Sequence, residues 1–255
     1  MKIPFKFKNV MPRSFRLGTA MASLLLLVTA ASSASAQVLE PSSLPYGYSY
    51  EEWSAKYWQW TLGQSTNHYQ KLGSADICSG PASRVRFPGP SLIGGEAIHV
   101  VTNHITVERG TPLFFPVFSF WLDNGNCPLS AFTTFTPDQL AAMDEAQWSA
   151  TTETTCTIDG VAVAGMDDPT NSVFHVVSTP FSYTTAEKDN VITAAFGATC
   201  IPGDFTIYPA VADGVFVMLA PLKPGKHVIH TVGIVGPISA PLADSDVTIE
   251  VTVEH

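Results

Sequence analysis

The last segment of the chain alternates with a period of two. In DVTIEVTVEH, Val247, Ile249, Val251 and Val253 stand against Thr248, Glu250, Thr252 and Glu254. Such a stretch buries one face and wets the other, as a half-buried strand does. In TCTIDGVAVAG, Asp159-Gly160 supplies the left-handed dihedrals of a two-residue hairpin turn and predicts that Ile158 pairs with Val161. In GVFVMLAPLKPGKHVIHTVGIVG the first run is apolar on both parities, which predicts a central strand, and Pro224-Gly225 predicts a type II turn after it. Further strands are expected at 98–101, 105–108, 113–118, 173–178 and 205–208.

Two segments change to the helical period. In SYEEWSAKYWQWTLG, Ser49 is placed to cap a helix, Glu52 to reach back to it, Tyr48 to staple against Trp53, and Gly63 to end it. Trp53, Tyr57 and Trp60 share one face, with Ala55, Trp58 and Leu62 on the adjoining stripe. The start of the second helix is Thr136-Pro137-Asp138-Gln139, a capping residue followed by proline at the first helical position, and it is expected to run to about Trp148. A short third helix is expected within AEKDNVITAAF. Roughly ten short strands with two or three short helices, and no strand–helix alternation or internal repeat, predict a mainly β protein, an antiparallel β-sandwich or jelly-roll-like fold.

The N-terminus sets the compartment. A basic start, a short apolar run and small residues ending at Ala34-Ser35-Ala36 read as a secretory signal peptide over 1–36, cut before Gln37. An N-terminal arm over 37–48 and a single domain over 49–255 follow, and no later stretch has the length of a bilayer helix. Of the 255 residues, 45% are apolar, enough for a core. Cleavage would remove five of the 13 basic residues and none of the 22 acids, leaving a formal charge of −14. A surface so acidic repels phosphate backbones, so nucleic acid is not an expected partner. Cys78, Cys127, Cys156 and Cys200 form an even set in an exported, secreted or periplasmic chain, which favours two disulfides. Of the three connectivities, Cys78–Cys127 with Cys156–Cys200 is preferred.

Candidate chemistry centres on GGEAIHVVTNHITVERG. If Thr102-Asn103 is a two-residue turn, His99, His104 and Glu108 share one face of a hairpin, and two imidazoles with a carboxylate suit zinc or another divalent first-row metal. A solvated hairpin face is the plainer reading of the same residues. A strand that continues without turning would send the two histidines to opposite faces. No other cofactor is indicated. His175 and His230 lie on apolar parities and read as packed, hydrogen-bonded residues. The aromatic helix reads first as a packing surface, with Trp58 and Trp121 the residues expected to be partly exposed and available to stack on a glycan. The acidic pairs Glu51/Glu52, Asp144/Glu145 and Asp167/Asp168 read as solvated positions. The chain lacks a nucleophile elbow, a phosphate-binding glycine loop, a dinucleotide fingerprint and a His-Glu-x-x-His motif.

The pieces YSYEEWSAKYWQWTLG, ITVERGTPLFFPVFS and VADGVFVMLAPLKPGKHVIH, with the cysteine placement, resemble a family of uncharacterised secreted bacterial β-sandwich proteins. That resemblance implies the architecture and no activity. LKPGKHVI and ITVERGTPLFF are also similar in form to strand and turn segments of immunoglobulin-like modules. The Gly94–Gly110 run, a glycine followed by spaced histidines, a glutamate and a glycine, is similar to the first cupin motif and 224–227 to the second, but there is no His-x-His pair and the spacings differ, so this likeness prompts metal binding alone. The function expected from sequence is an exported, non-catalytic binding or structural module, associated with a glycan or another cell-envelope component. The alternative is a metal-dependent extracellular hydrolase acting on a polysaccharide or other polymer, with His99 and His104 as ligands and Glu108 as ligand or base.

Overall fold

A computed structural model of the protein describes residues 36–66, 73–74, 80–88, 98–125, 134–196 and 201–255. The strands in chain order are β1 (Val38–Leu39), β2 (Gly73–Ser74), β3 (Arg86–Phe87), β4 (Ile98–Val107), β5 (Leu113–Asp123), β6 (Thr151–Ile158), β7 (Val161–Ala162), β8 (His175–Val177), β9 (Phe181–Thr184), β10 (Thr206–Leu219), β11 (Gly225–Val235) and β12 (Ala243–Val253). The α-helices are α1 (Tyr50–Leu62), α2 (Pro137–Trp148) and α3 (Val191–Phe196).

The strands form two sheets that face each other. One is five-stranded in the order β4-β12-β11-β6-β7. The other is seven-stranded, running β1-β10-β5-β3-β2, with β8 and β9 also on β10. Their inner faces meet in one core that joins Ile105, Ile158, Ile229, Val247, Ile249, Val251 and Val253 of the first to Phe118 and Val215 of the second. Gly233 of β11 lies so close to Phe118 of β5 that a Cβ there would fall 2.2 Å from the ring. The sandwich is mixed rather than purely antiparallel, because β4 runs parallel to β12 and β3 parallel to β5.

Strand β10 is buried on both faces from Pro209 to Leu219: the run from Gly214 predicts this by being apolar on both parities, whereas Asp213 is a buried acid. On one face α1 packs through Trp53 and Tyr57 against Phe114 and Phe216. On the other, Val215, paired with Phe118, faces the five-stranded sheet and Asp213 lies beneath α2. A register shift between Val215 and Phe216, where Val117 is the extra residue on β5, reverses the parity of that strand. Phe114 is therefore turned to α1 while Phe118 and Phe120 are turned to Trp148 of α2.

Local signals hold where they are strongest. Both capping boxes form, Ser49 with Glu52 and Thr136 with Gln139, and Tyr48 meets Trp53 edge-on at 5.5 Å. The Asp159-Gly160 hairpin forms with positive φ at both residues and Ile158 opposite Val161. Pro224-Gly225, in contrast, leads from one sheet to the other: β10 pairs with β5, and β11 with β12 and β6. Among the described residues no helix is long and apolar enough to cross a membrane.

Candidate functional site

The expected hairpin at Thr102-Asn103 does not form. Residues 98–107 are one strand, β4, paired in parallel with β12 from Asp244↔Ile98 to Val253↔Val107. The buried row of β12 supplies Val247, Ile249 and Val251 as neighbours for Val101, Asn103 and Ile105, and this ladder outweighs a weak Thr-Asn turn. His99 and His104 consequently occupy opposite parities of the strand. His104 is exposed on the outer face, where Nδ1 lies 3.0 Å from Glu250 Oε2, and Glu108 is exposed just beyond the strand. Among the described residues no three His, Cys, Asp or Glu side chains are gathered to hold a metal.

The two tryptophans expected to be partly exposed differ in burial. Trp121 is half-buried, but Trp58 is only 4% exposed, with the two rings 4.7 Å apart. Trp121 Nε1 donates to Asp123 Oδ2, which also accepts from the Tyr183 hydroxyl at 2.7 Å, while Asp123 Oδ1 accepts from the Gly125 amide. Burial raises the Asp123 carboxyl against the lowering effect of those three donors. Trp58 is buried against Trp121 and therefore offers no open platform. Cys156 is a free, buried thiol in this structure, pushed up to about 12 by desolvation. The preferred Cys156–Cys200 bridge is not formed, and Cys78, Cys127 and Cys200 lie outside the described residues.

Histidines are fastened to carboxylates on neighbouring strands and turns. His230 Nε2 meets Asp246 of β12 at 2.8 Å, and His227 Nδ1 meets Asp159 of the hairpin turn at 2.7 Å while its Nε2 donates to the Lys223 carbonyl. Burial works against the His227 charge, yet the bonds to Asp159 and Lys223 together with the Asp159 charge raise it overall. His230 sits on the outer face beside exposed Val228, which corrects its assignment to a packed parity.

Sequence reasoning missed a buried polar cluster beneath α2. Helix α2 buries only Leu140, Asp144 and Trp148, one stripe at i, i+4, i+8. Asp144 has no exposed surface, and neither of its carboxylate oxygens has a hydrogen-bond partner. Beneath it lies Asp213 of β10, equally inaccessible, with Oδ2 unpartnered and Oδ1 2.5 Å from His175 Nε2. The His175 ring stacks on Trp148 at 4.9 Å and 9°, and Trp148 Nε1 also lacks a partner. Burial first, and the charge of Asp213 second, raise the Asp144 carboxyl to about 8. The adjacency of Asp144 and Glu145 concealed this, because adjacent helical residues point about a quarter-turn or more apart. Glu145 is exposed and Asp144 is not. The stripe Leu140–Asp144–Trp148 was the signal that could have found it.

Among the described residues the surface also holds a groove lined mainly by apolar side chains. It encloses about 200 Å³ where β1 meets the β6–β7 hairpin, walled by Val38, Ile158, Val161, Val163 and Phe174, with Glu40 as its charged lining residue. Val161, one of its walls, is 56% exposed.

No family model and no curated protein matches the chain. Among solved structures it is similar to one described as PbICP-C in complex with falcipain-2, at 13% identity over 67% of this chain and 98% of that one, with a TM-score of 0.27. It is also similar to the solution structure of Amebosin, at 10% identity over 63% and 100% with a TM-score of 0.20. A third is the cysteine protease inhibitor EhICP2 from Entamoeba histolytica, at 12% identity over 61% and 95% with a TM-score of 0.18. Likeness at that level decides neither fold nor function.

Proposed function

We propose that the chain is an exported, non-catalytic β-sandwich that binds a protein component of the cell envelope, using the groove between β1 and the β6–β7 hairpin. The groove is the observation that carries this reading. Its volume of about 200 Å³ is below the ~300–1,000 Å³ of pockets that engulf drug-sized ligands, so it accommodates a single large apolar side chain. Glu40 in its lining and the acidic balance of the chain favour a basic neighbour for that side chain and disfavour anionic lipid headgroups. Ala36 lines one wall and would leave with the signal peptide, opening the groove further. A glycan held on stacked aromatics has less support, because the Trp58 ring is covered.

The test uses the mature protein, beginning at Gln37, and isolated envelope fractions. Wild type is expected to sediment with the envelope, and digestion of the fraction with protease beforehand is expected to abolish this. Ala162 lines the groove from an exposed position, so Ala162→Trp plugs it without disturbing the core and is expected to lose retention. Absent retention, retention on protease-stripped membranes, or full retention of Ala162→Trp would each remove the reading.

A further inference from the structure

We infer that Asp144 is a proton-operated latch: as a neutral acid it lets α2 lie on β10 above Asp213, and loss of its proton lifts the helix from the sheet. The inference is independent of the groove and rests on the geometry beneath α2. Only Leu140, Asp144 and Trp148 hold the helix down, so a third of its anchoring stripe is ionisable. No donor reaches either Asp144 oxygen. An ionised Asp144 would therefore be a desolvated anion without a hydrogen bond.

The titratable groups facing it are few. From β10 there is Asp213, a second inaccessible carboxyl that repels a charge on Asp144. From β8 there is His175, whose Nε2 is already engaged by Asp213 Oδ1. Strand β5 contributes none, because Asp123, its one titratable side chain, is held by Trp121, Gly125 and Tyr183. On α2 itself Asp138 and Glu145 are exposed to water. Two carboxyls and one engaged imidazole cannot hold two negative charges without solvent, and the least costly way to admit it is to release α2, whose other positions are already exposed or half-buried. The lift would part Trp148 from His175 and uncover Phe118 and Phe120.

Hydrogen exchange resolved to individual amides, measured across pH on the mature protein, tests this. The carboxyl sits near 8 when the helix is docked and reaches the ordinary value of 3.8 once it is in water. The opening constant of the α2 amides is thus expected to rise about tenfold per pH unit through the neutral range and then level off. Amides of β12 are expected to show no such rise, and Asp144→Asn, which keeps the shape without the charge, is expected to make α2 flat with pH. A second readout is the infrared stretch of a protonated buried carboxyl at neutral pH, present in wild type and missing in Asp144→Asn. An α2 opening constant indifferent to pH, a rise shared equally by β12, a rise surviving in Asp144→Asn, or a wild-type spectrum without the acid band would each overturn the latch.

Discussion

Asp144 shows how one side chain sets the stability profile of the region around it. The folded protein holds a proton on this carboxyl that the unfolded chain releases above an ordinary value of 3.8, and keeps it up to about 8. Between those values the native state binds more protons than the unfolded one, so the unfolding free energy falls as pH rises, levelling off above about 8. Asp144→Asn is expected to remove this component. Urea unfolding should find the variant more stable than wild type by on the order of 5 kcal/mol near pH 8 and close to wild type near pH 4. Equal pH dependence in the two proteins would show that Asp144 is ionised in the fold. Histidine chemistry at this scale is simpler. His104, His175, His227 and His230 each meet one acid, and at His104 and His230 the pair is largely solvent-exposed, where such contacts contribute little.

At the scale of elements, β1 shows how a short strand is kept in place. Two register pairs join it to β10, too few to hold a strand alone. Tyr50, the first residue of α1, supplies the fastening. Its hydroxyl donates to the Leu39 carbonyl at 2.6 Å and accepts from the Met218 amide at 2.8 Å, tying β1, α1 and β10 through one buried atom. Tyr50→Phe leaves a buried amide without its acceptor, and a loss of about 1–3 kcal/mol follows, read as a fall in the urea midpoint. Protease sensitivity is expected to increase at 37–44 in the same variant, because the arm loses its anchor. A midpoint unchanged from wild type would mean that Met218 and Leu39 find other partners. The helices themselves were legible from sequence because caps are local. Ser49, Glu52, Thr136, Pro137 and Gln139 act within a single turn, and no distant residue competes for them.

For the whole molecule, the separation of the two sheets depends on a few close approaches. At Gly233 a Cβ would come within 2.4 Å of three Phe118 side-chain atoms, and the ring is itself packed by Trp148 and Phe120. Gly233→Ala must therefore push β11 from β5. We expect a cost of about 1–3 kcal/mol and a lower melting temperature by calorimetry, as for other overpacked interiors. A melting temperature equal to that of wild type would mean that the sheets separate without cost. Sequence by itself determined the class of fold, both long helices with their caps, the Asp159-Gly160 hairpin and the buried row of β12, since each follows from a period or a turn confined to a few residues. It could not decide pairing between distant strands. Residues 98–107 carry apolar positions compatible with either a hairpin or a straight strand, and only the parallel ladder on β12, well over a hundred residues away, selects the latter. For the same reason the proposed metal triad of His99, His104 and Glu108 read plausibly in one dimension while Asp144, Asp213 and His175 went unseen. Those three come from a helix, a central strand and a short edge segment, and their environment exists only once tertiary packing has removed the water between them.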